Sequence, residues 1–196
     1  MQKKKLRYDK LFMKIATDSA EMSFCERAKV GAVIVKDNRV LVNAWNGTPS
    51  GYTNCCEELS NEVEMFSRCC NAKIYELDDK LYCSNCNNEI GFVDRLSDAL
   101  KREVGDFVIK PKIKTNHKIV IHAEANALLF AAKNGIATNN CDLYVTLSPC
   151  SECAKMIVQA GIKRVVYKEK YRDTSGIDFL KSVGIVVEQF KKELNE

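Results

Sequence analysis

Two short motifs in this sequence combine residue types that bind a metal ion and transfer protons. His122-Ala-Glu124 opens one predicted helix, and Pro149-Cys150-Ser-Glu-Cys153 opens another. One imidazole and two thiolates leave the fourth position of a tetrahedral zinc ion open to water, as in catalytic zinc sites. Zinc lowers the pKa of a bound water toward about 7, and Glu124 can accept the released proton. The motifs predict a zinc-dependent hydrolase in which His122, Cys150 and Cys153 bind zinc and Glu124 is catalytic.

Each half of this pattern has a simpler explanation when it is taken alone. His122 could be a core histidine, and the C-x-x-C pair could be a structural zinc knuckle. Glu124 could stabilise the positive N-terminal end of a helix, a role compatible with catalysis. The occurrence of both halves at helix starts in one chain favours the catalytic interpretation.

The ten cysteines are the most unusual feature of the composition. They cluster as Cys55-Cys56, Cys69-Cys70, Cys83-x-x-Cys86 and Cys150-x-x-Cys153. C-x-x-C turns direct two sulfurs at one centre and therefore favour metal binding. No signal peptide is predicted, because Lys14 and Asp18 interrupt the segment that would have to be apolar. We therefore expect a cytoplasmic protein with reduced thiols.

Length, charge and hydropathy restrict the domain organisation and the classes of partner that the sequence allows. The 196 residues are 46% hydrophobic and 29% charged, which suits one domain with a sizeable insertion. The net charge of +4 is too small to identify a polyanionic partner. The longest apolar run, residues 127–132, is far shorter than the roughly 20 residues of a membrane-spanning helix.

Apolar periodicity predicts an α/β fold in which helices flank a mixed sheet. The predicted elements are a helix (Leu6–Met22), a hairpin (Gly31–Val35 and Arg39–Trp45), and then alternating helices and strands at His122–Asn134, Leu143–Leu147, Pro149–Ala160, Lys163–Tyr167, Asp178–Val183 and Gly184–Phe190. Residues 54–117 are polar, weakly periodic and rich in cysteine, and we interpret them as an insertion within a single domain 1–196. Within it, a helix is predicted at Leu96–Val104 and a strand at Phe107–Ile113.

The combination H-x-E and P-C-x-x-C is the signature of zinc nucleobase deaminases. The chain resembles the cytidine deaminase superfamily, and more closely the deoxycytidylate deaminases of phages and bacteria. The matching blocks, in order, are Cys25–Val33, Trp45–Gly51, His122–Ala127, Leu147–Cys150 and Ala160–Val166. The resemblance implies a three-layer α/β/α cytidine-deaminase-like sandwich with a five-stranded sheet. It also implies hydrolysis of dCMP to dUMP and ammonia, which supplies thymidine nucleotide synthesis, in homo-hexamers that dCTP activates with Mg²⁺ and dTTP inhibits.

The same resemblance assigns residues to the substrate. Asn46 would hold the deoxyribose hydroxyl, and the Ala123 N–H and the Ser148 carbonyl would frame the pyrimidine edge. Arg27 would bind the 5′-phosphate, because its planar guanidinium group can donate two hydrogen bonds to phosphate oxygens, unless it is a solvated surface residue. Tyr171 would stack on the substrate or hydrogen-bond to it, unless it serves ordinary packing.

A second, structural zinc ion is also expected, with its ligand set left open. The candidates are Cys25, Cys55, Cys69, Cys70, Cys83, Cys86 and His117. Cys25 and Cys55 align with a structural zinc site in phage relatives, whereas Cys83-x-x-Cys86 with Cys69-Cys70 resembles half a zinc ribbon. Alternatively, these cysteines are small buried hydrophobic residues.

Two other functions remain open from the sequence. A nucleic-acid base deaminase is one, because Trp45 stands where tryptophan is familiar in tRNA adenosine deaminases. Such an enzyme needs a basic, aromatic channel, and the sequence contains no evident stripe of that kind. The other is a zinc-stabilised nucleic-acid-binding module with a vestigial site, which the intact His122, Glu124, Cys150 and Cys153 disfavour.

Overall fold

The structure is a computed structural model that describes residues 2–52, 56–67, 69–78, 80–92, 107–115 and 118–191. The chain divides into two compact units, Met1–Glu57 with Thr115–Glu196, and Glu58–Lys114. Among the described residues, no helix has the length and apolar character needed to cross a membrane.

The helices and strands follow the chain in a simple order. They are α1 (Gln2–Ala20), β1 (Gly31–Lys36), β2 (Arg39–Trp45), β3 (Glu57–Ser67), β4 (Ile74–Leu77), β5 (Lys80–Cys83), β6 (Glu89–Phe92), β7 (Phe107–Thr115), α2 (Ala123–Lys133), β8 (Asp142–Leu147), α3 (Ser151–Gln159), β9 (Arg164–Glu169), α4 (Ser175–Ser182) and β10 (Val186–Gln189). The first unit contains α1 to α4 and a five-stranded sheet, and the second contains the short sheets β4-β5-β6 and β3-β7.

The five-stranded sheet has the order β10-β9-β8-β1-β2. Strands β8, β9 and β10 are parallel, whereas β1 is antiparallel to both β8 and β2. The β1–β2 hairpin turns at Asp37 and Asn38, whose φ angles of 50° and 58° suit the tight turn that matches strand twist. The predicted mixed sheet and hairpin are therefore confirmed.

Alternation along β1 separates the two layers of helices. Val33 and Val35 belong to a core cluster with Phe12 and Met13 of α1. The intervening Ala32 and Ile34 belong to a second cluster with residues of α2, α3 and α4, among them Ala127, Ile157 and Leu180. Because successive side chains of a strand point to opposite faces, the sheet lies between two helical layers.

Gly31 permits the close approach of α1 to β1. A Cβ atom at this position would lie 1.9 Å from the carbonyl oxygen of Ala16, so any side chain would push the helix away from the sheet. Glycine is required here by the distance between two backbones.

Several element boundaries differ from the sequence prediction. Helix α1 ends at Ala20, two residues before the predicted Met22. Helix α4 begins at Ser175 instead of Asp178, because the Asp173 carboxylate accepts hydrogen bonds from the Ser175 N–H and hydroxyl and forms a local turn that starts the helix. The predicted helix Leu96–Val104 lies outside the described residues.

The cysteine-rich region contains more regular structure than its weak periodicity indicated. Strands β3 to β6 were not predicted, and the predicted strand Phe107–Ile113 is part of β7, which continues to Thr115. The four-residue strands β4 to β6 carry little periodic signal, because each supplies only two alternations. Strand β3 is longer, but seven of its 11 residues are polar.

A buried ion cluster connects α1 with three strands of the sheet. Arg164 donates two parallel hydrogen bonds to Asp9, at 2.9 and 2.8 Å, and a third of 2.9 Å from Nε to Glu188. Tyr144 donates to Asp9 at 2.6 Å and accepts from Arg164 at 3.0 Å. Burial raises the pKa of Asp9, but the hydrogen bonds from Arg164 and Tyr144 outweigh it and hold this pKa below its usual value.

Candidate active site

His122 is held at the start of α2 by contacts with the end of β2. It occupies the N-cap position in an extended conformation, with φ −69° and ψ 153°. The preceding Ile121 exchanges two backbone hydrogen bonds with Gly47, of 3.1 and 2.8 Å. One turn into the helix, Asn126 donates to the Trp45 carbonyl at 2.9 Å. These contacts fix the backbone that carries the imidazole.

Cys150 and Cys153 lie at the N-terminal end of α3. Cys150 is the N-cap of α3, and Cys153 lies buried in its first turn. Their sulfurs lie 3.5 and 3.4 Å from Nδ1 of His122. A tetrahedral zinc ion with bonds of about 2.0–2.1 Å to nitrogen and 2.3 Å to sulfur places such ligand atoms about 3.6 Å apart. The three residues therefore fit zinc in both donor type and spacing.

The thiolate character of Cys150 agrees with this assignment. Hydrogen bonds from Cys153 and His122 lower the pKa of Cys150 to about 3. The N-terminus of α3 also favours negative charge at this position.

Glu124 lies beside the three ligands in the first turn of α2. Its side chain is only 4% exposed, and burial raises its pKa to about 7. A carboxyl group with a pKa near neutrality can both accept and donate a proton, which is the property that general acid–base catalysis requires.

These groups open onto a cavity of about 410 Å³. The predicted residues that line it are His122, Glu124, Cys150, Arg27, Asn46, Ala123, Ser148 and Tyr171, together with Cys25, a candidate for the second metal site. The cavity thus brings together the predicted metal-binding, catalytic and substrate-binding residues, apart from the buried Cys153. Its size is that of a pocket for a small organic molecule.

The Asn46 side chain has a structural task in addition to its place in the cavity. Its Oδ1 accepts from the Val30 N–H at 2.7 Å, and its Nδ2 donates to the Ala28 carbonyl at 2.8 Å. A primary amide has two donor hydrogens and two acceptor lone pairs, so one of each remains for a ligand. Asn46 can therefore fix the loop before β1 and bind a hydroxyl group at once.

The segment after β9 also lines the cavity, through Tyr171 and Arg172. The Tyr171 N–H donates to the Ser148 hydroxyl at 2.8 Å, and the Ser148 N–H donates to the Glu169 carbonyl at 2.8 Å. Arg172, which sequence reasoning missed, also lines the cavity, and its guanidinium carbon lies 5.8 Å from the centre of the Tyr171 ring. The available signal was its position just beyond the carboxyl end of a parallel strand, where ligands of α/β sheets bind.

Gly176 is a second residue that sequence reasoning missed. It lies in the first turn of α4, against the backbone of the loop that carries Cys150. A Cβ atom here would lie 2.2 Å from the Pro149 carbonyl oxygen and 2.7 Å from the Cys150 carbonyl carbon. Helix α4 can therefore support the ligand loop only if this position has no side chain.

We expect Gly176→Ala to reduce kcat/KM by up to about 10²-fold, because displacing a site residue by about 1 Å can cost that much. Steady-state kinetics and zinc content of the purified variant measure the effect. Ser182→Ala, an exposed position on the same helix, is the matched control. Wild-type kinetics for Gly176→Ala would show that α4 does not position the ligand loop.

The candidates for a second metal site fall into three groups. Cys25 forms a disulfide with Cys56, and their Cα atoms are 5.0 Å apart, within the range that disulfides span. The expectations that Cys25 is a zinc ligand and that all thiols are reduced are therefore wrong, because folding brings Cys25 against Cys56. Cys55 and His117 lie outside the described residues. Cys69, Cys70, Cys83 and Cys86 come together elsewhere, in the second unit.

The fold and the site together define the class of protein. Residues 6–169 match the profile of the cytidine and deoxycytidylate deaminase zinc-binding region. The chain belongs to this family, and the resemblance inferred from its motifs is confirmed.

Individual relatives share most of the chain. Deoxycytidylate deaminase of Enterobacteria phage T4 is 37% identical over 192 residues, which cover 94% of this chain and 91% of that protein. Deoxycytidylate deaminase of Saccharomyces cerevisiae is 33% identical over 184 residues, which cover 93% of this chain and 45% of the yeast protein. Among solved structures, dCMP deaminase from the cyanophage S-TIM5, in complex with dCMP and dUMP, has a TM-score of 0.62 and 35% identity, and covers 92% of this chain and 95% of that chain.

Proposed function

We propose that this enzyme hydrolyses dCMP to dUMP and ammonia. The observation that carries the proposal is the cavity itself, in which a His-Cys-Cys group, a buried glutamate and two arginines surround a space of about 410 Å³. The S-TIM5 enzyme, described in complex with dCMP and dUMP, supports the choice of nucleotide.

In this mechanism His122, Cys150 and Cys153 hold zinc, which when bound activates water for attack on the base. The Ala123 N–H and the Ser148 carbonyl orient the edge of the cytosine ring, and Asn46 holds the sugar hydroxyl. Glu124 would accept one proton from the attacking water and deliver it to N3. It would then take the second proton from the new C4 hydroxyl and deliver it to the amine, which leaves C4 as ammonia. The burial of Glu124 excludes bulk water from these transfers.

The 5′-phosphate is the group that distinguishes dCMP from its nucleoside. Arg27 and Arg172 both line the cavity, and a guanidinium group can donate two hydrogen bonds to phosphate oxygens. Tyr171, whose ring contacts the Arg172 guanidinium, would stack on the substrate or hydrogen-bond to it. We assign the two arginines to phosphate binding.

Arg27→Ala and Arg172→Ala should each raise KM for dCMP by about 10-fold or more, because a hydrogen bond to a charged group contributes about 1.5–3 kcal/mol. KM for deoxycytidine should change little, since it lacks the phosphate. Parallel assays of both substrates measure the difference. Equal changes for the two substrates would remove that arginine from phosphate binding.

The proposal extends to the cellular setting of the reaction. The dUMP product would supply thymidine nucleotide synthesis, in a cytoplasmic homo-oligomer, with a hexamer expected. Activation by dCTP with Mg²⁺ and inhibition by dTTP are part of the proposal, as is a second, structural zinc ion bound by cysteines before residue 87.

One substrate panel tests the function against its alternatives. Purified protein is incubated with dCMP, CMP, deoxycytidine, dCTP or a cytosine-containing oligonucleotide, and ammonia release is followed. We expect the highest kcat/KM with dCMP. Preference for the oligonucleotide would indicate a nucleic-acid deaminase, and no ammonia from any substrate would indicate a vestigial site.

A further inference from the structure

A second group of metal-binding side chains lies outside the catalytic cavity, in the unit Glu58–Lys114. The sulfurs of Cys69, Cys70, Cys83 and Cys86 all lie within 4.8 Å of one another. We propose that these four thiolates form a closed structural zinc site. This inference rests on the second-zinc part of the proposed function and deepens it, because it names the ligands.

The distances within the group suit a metal ion better than disulfides. The sulfurs of Cys69 and Cys86 are 3.6 Å apart, whereas a disulfide requires about 2.05 Å. A tetrahedral zinc ion with four bonds of about 2.3 Å to sulfur separates its ligands by about 3.8 Å. Four sulfurs at mutual distances near this value leave room for one ion at their centre.

Two hydrogen-bonded turns hold the four cysteines in place. In the turn that contains Cys83 and Cys86, the Cys83 N–H donates to the Asn88 carbonyl at 3.0 Å, and the Asn87 N–H donates to the Cys83 carbonyl at 2.9 Å. Asn87 has a positive φ of 56°, which lets the chain reverse between β5 and β6. This backbone directs both sulfurs of the C-x-x-C motif to the same side.

The turn that contains Cys69 and Cys70 is built in the same way. The Ser67 N–H donates to the Ala72 carbonyl at 2.8 Å, and the Asn71 N–H donates to the Ser67 carbonyl at 2.9 Å. Asn71 also has a positive φ, of 49°. The backbone thus brings two adjacent cysteines to one centre.

A further backbone hydrogen bond joins the two turns, from the Ser84 N–H to the Lys73 carbonyl at 2.9 Å. In addition, the Ser67 hydroxyl, which is 1% exposed, donates to the Cys83 sulfur at 3.1 Å. Hydrogen bonds from neighbouring groups to ligand atoms are typical of metal sites, because they orient the ligands and stabilise their charge.

The surroundings of the group explain why an ion is needed there. In the sheet β4-β5-β6, Leu81 and Cys83 are buried, but Leu77 is 55% exposed and Tyr75 is 39% exposed. The side chains of this sheet that the structure describes thus bury little apolar surface to offset the entropy of ordering the chain. With all four positions taken by protein sulfurs, the zinc ion is structural and leaves no open position for water.

The experiment counts metal ions in the full chain. Protein purified with reductant is analysed by inductively coupled plasma mass spectrometry for zinc and iron, since a tetrahedral four-sulfur site suits either metal. We expect two zinc ions per chain in the wild type and one in the Cys83→Ser/Cys86→Ser variant. Cys141→Ser, which changes a buried cysteine outside both groups, is the matched control and should retain two.

A second variant separates this site from the catalytic one. His122→Ala should lose the cavity zinc and dCMP deamination but keep one zinc ion, and replacing that ion with Co²⁺ should give the spectrum of tetrahedral four-thiolate coordination. This measurement leaves the four cysteines intact, so it remains decisive if the serine variant fails to fold. Three results would overturn the proposal. They are two zinc ions retained by Cys83→Ser/Cys86→Ser, iron in place of the second zinc ion in the wild type, and a His122→Ala protein without metal. Failure of the deaminase proposal would appear instead as no ammonia release from a protein that holds two zinc ions.

Discussion

Glu124→Gln is expected to lower the kcat of dCMP deamination by about 10²–10⁴-fold, the usual contribution of a general acid–base residue. The amide preserves the size of the side chain but cannot accept a proton from water. Because Glu124 is not one of the three proposed ligands, zinc content should remain at the wild-type value. Stopped assays of ammonia release, with zinc measured on the same samples, give both quantities.

Glu152→Gln is the matched control for this variant. Glu152 also lies in the first turn of a helix that begins at a proposed ligand, but it is exposed and pairs with Lys155 at 2.7 Å. We expect nearly unchanged kcat for Glu152→Gln. A Glu124→Gln enzyme with kcat within a few-fold of the wild type would remove Glu124 from the proton transfers.

Arg164→Leu is expected to reduce the free energy of unfolding by about 3–5 kcal/mol, because removing one partner of a buried ion pair leaves the other charge uncompensated. Arg164 is 8% exposed, and it donates to both oxygens of Asp9. Urea denaturation at neutral pH measures the loss. The exposed Arg39→Leu, on strand β2, should change stability by less than about 1 kcal/mol.

A double variant distinguishes the buried charge from lost packing. Asp9→Leu/Arg164→Leu should recover part of the stability lost in Arg164→Leu, since no unpaired charge remains in the interior. This account of the cluster would be contradicted if Arg164→Leu had wild-type stability. It would also be contradicted if the double variant lost about as much free energy of unfolding again as Arg164→Leu loses relative to the wild type.

The pH dependence of stability should report the same cluster. The pKa of Asp9 is lowered in the folded protein, so this carboxylate stabilises the fold above its unfolded pKa of about 3.9. That contribution is lost as the pH falls through the lower, folded pKa. The wild type should therefore lose stability steeply in this acidic range, whereas Arg164→Leu should show a shallower decline.

The chemistry of the cavity could be predicted because its signals are local. His122 and Glu124 lie within one helical turn, as do Cys150 and Cys153, and the residue types restrict what such spacings can do. The alternation of apolar residues likewise predicted the mixed sheet and its flanking helices, which are confirmed. Such features depend on neighbours a few positions away along the chain.

Other features depended on contacts between distant segments. The disulfide of Cys25 joins residues 31 positions apart, and the sequence contained three other clusters with which Cys25 could have been grouped. Gly176 matters only because α4 packs against the Pro149–Cys150 backbone, and Arg172 only because β9 ends at the cavity. Residue types and short spacings thus determined which chemistry this protein can perform, whereas tertiary packing decided which side chains share a site, because proximity across the chain is set by the whole fold.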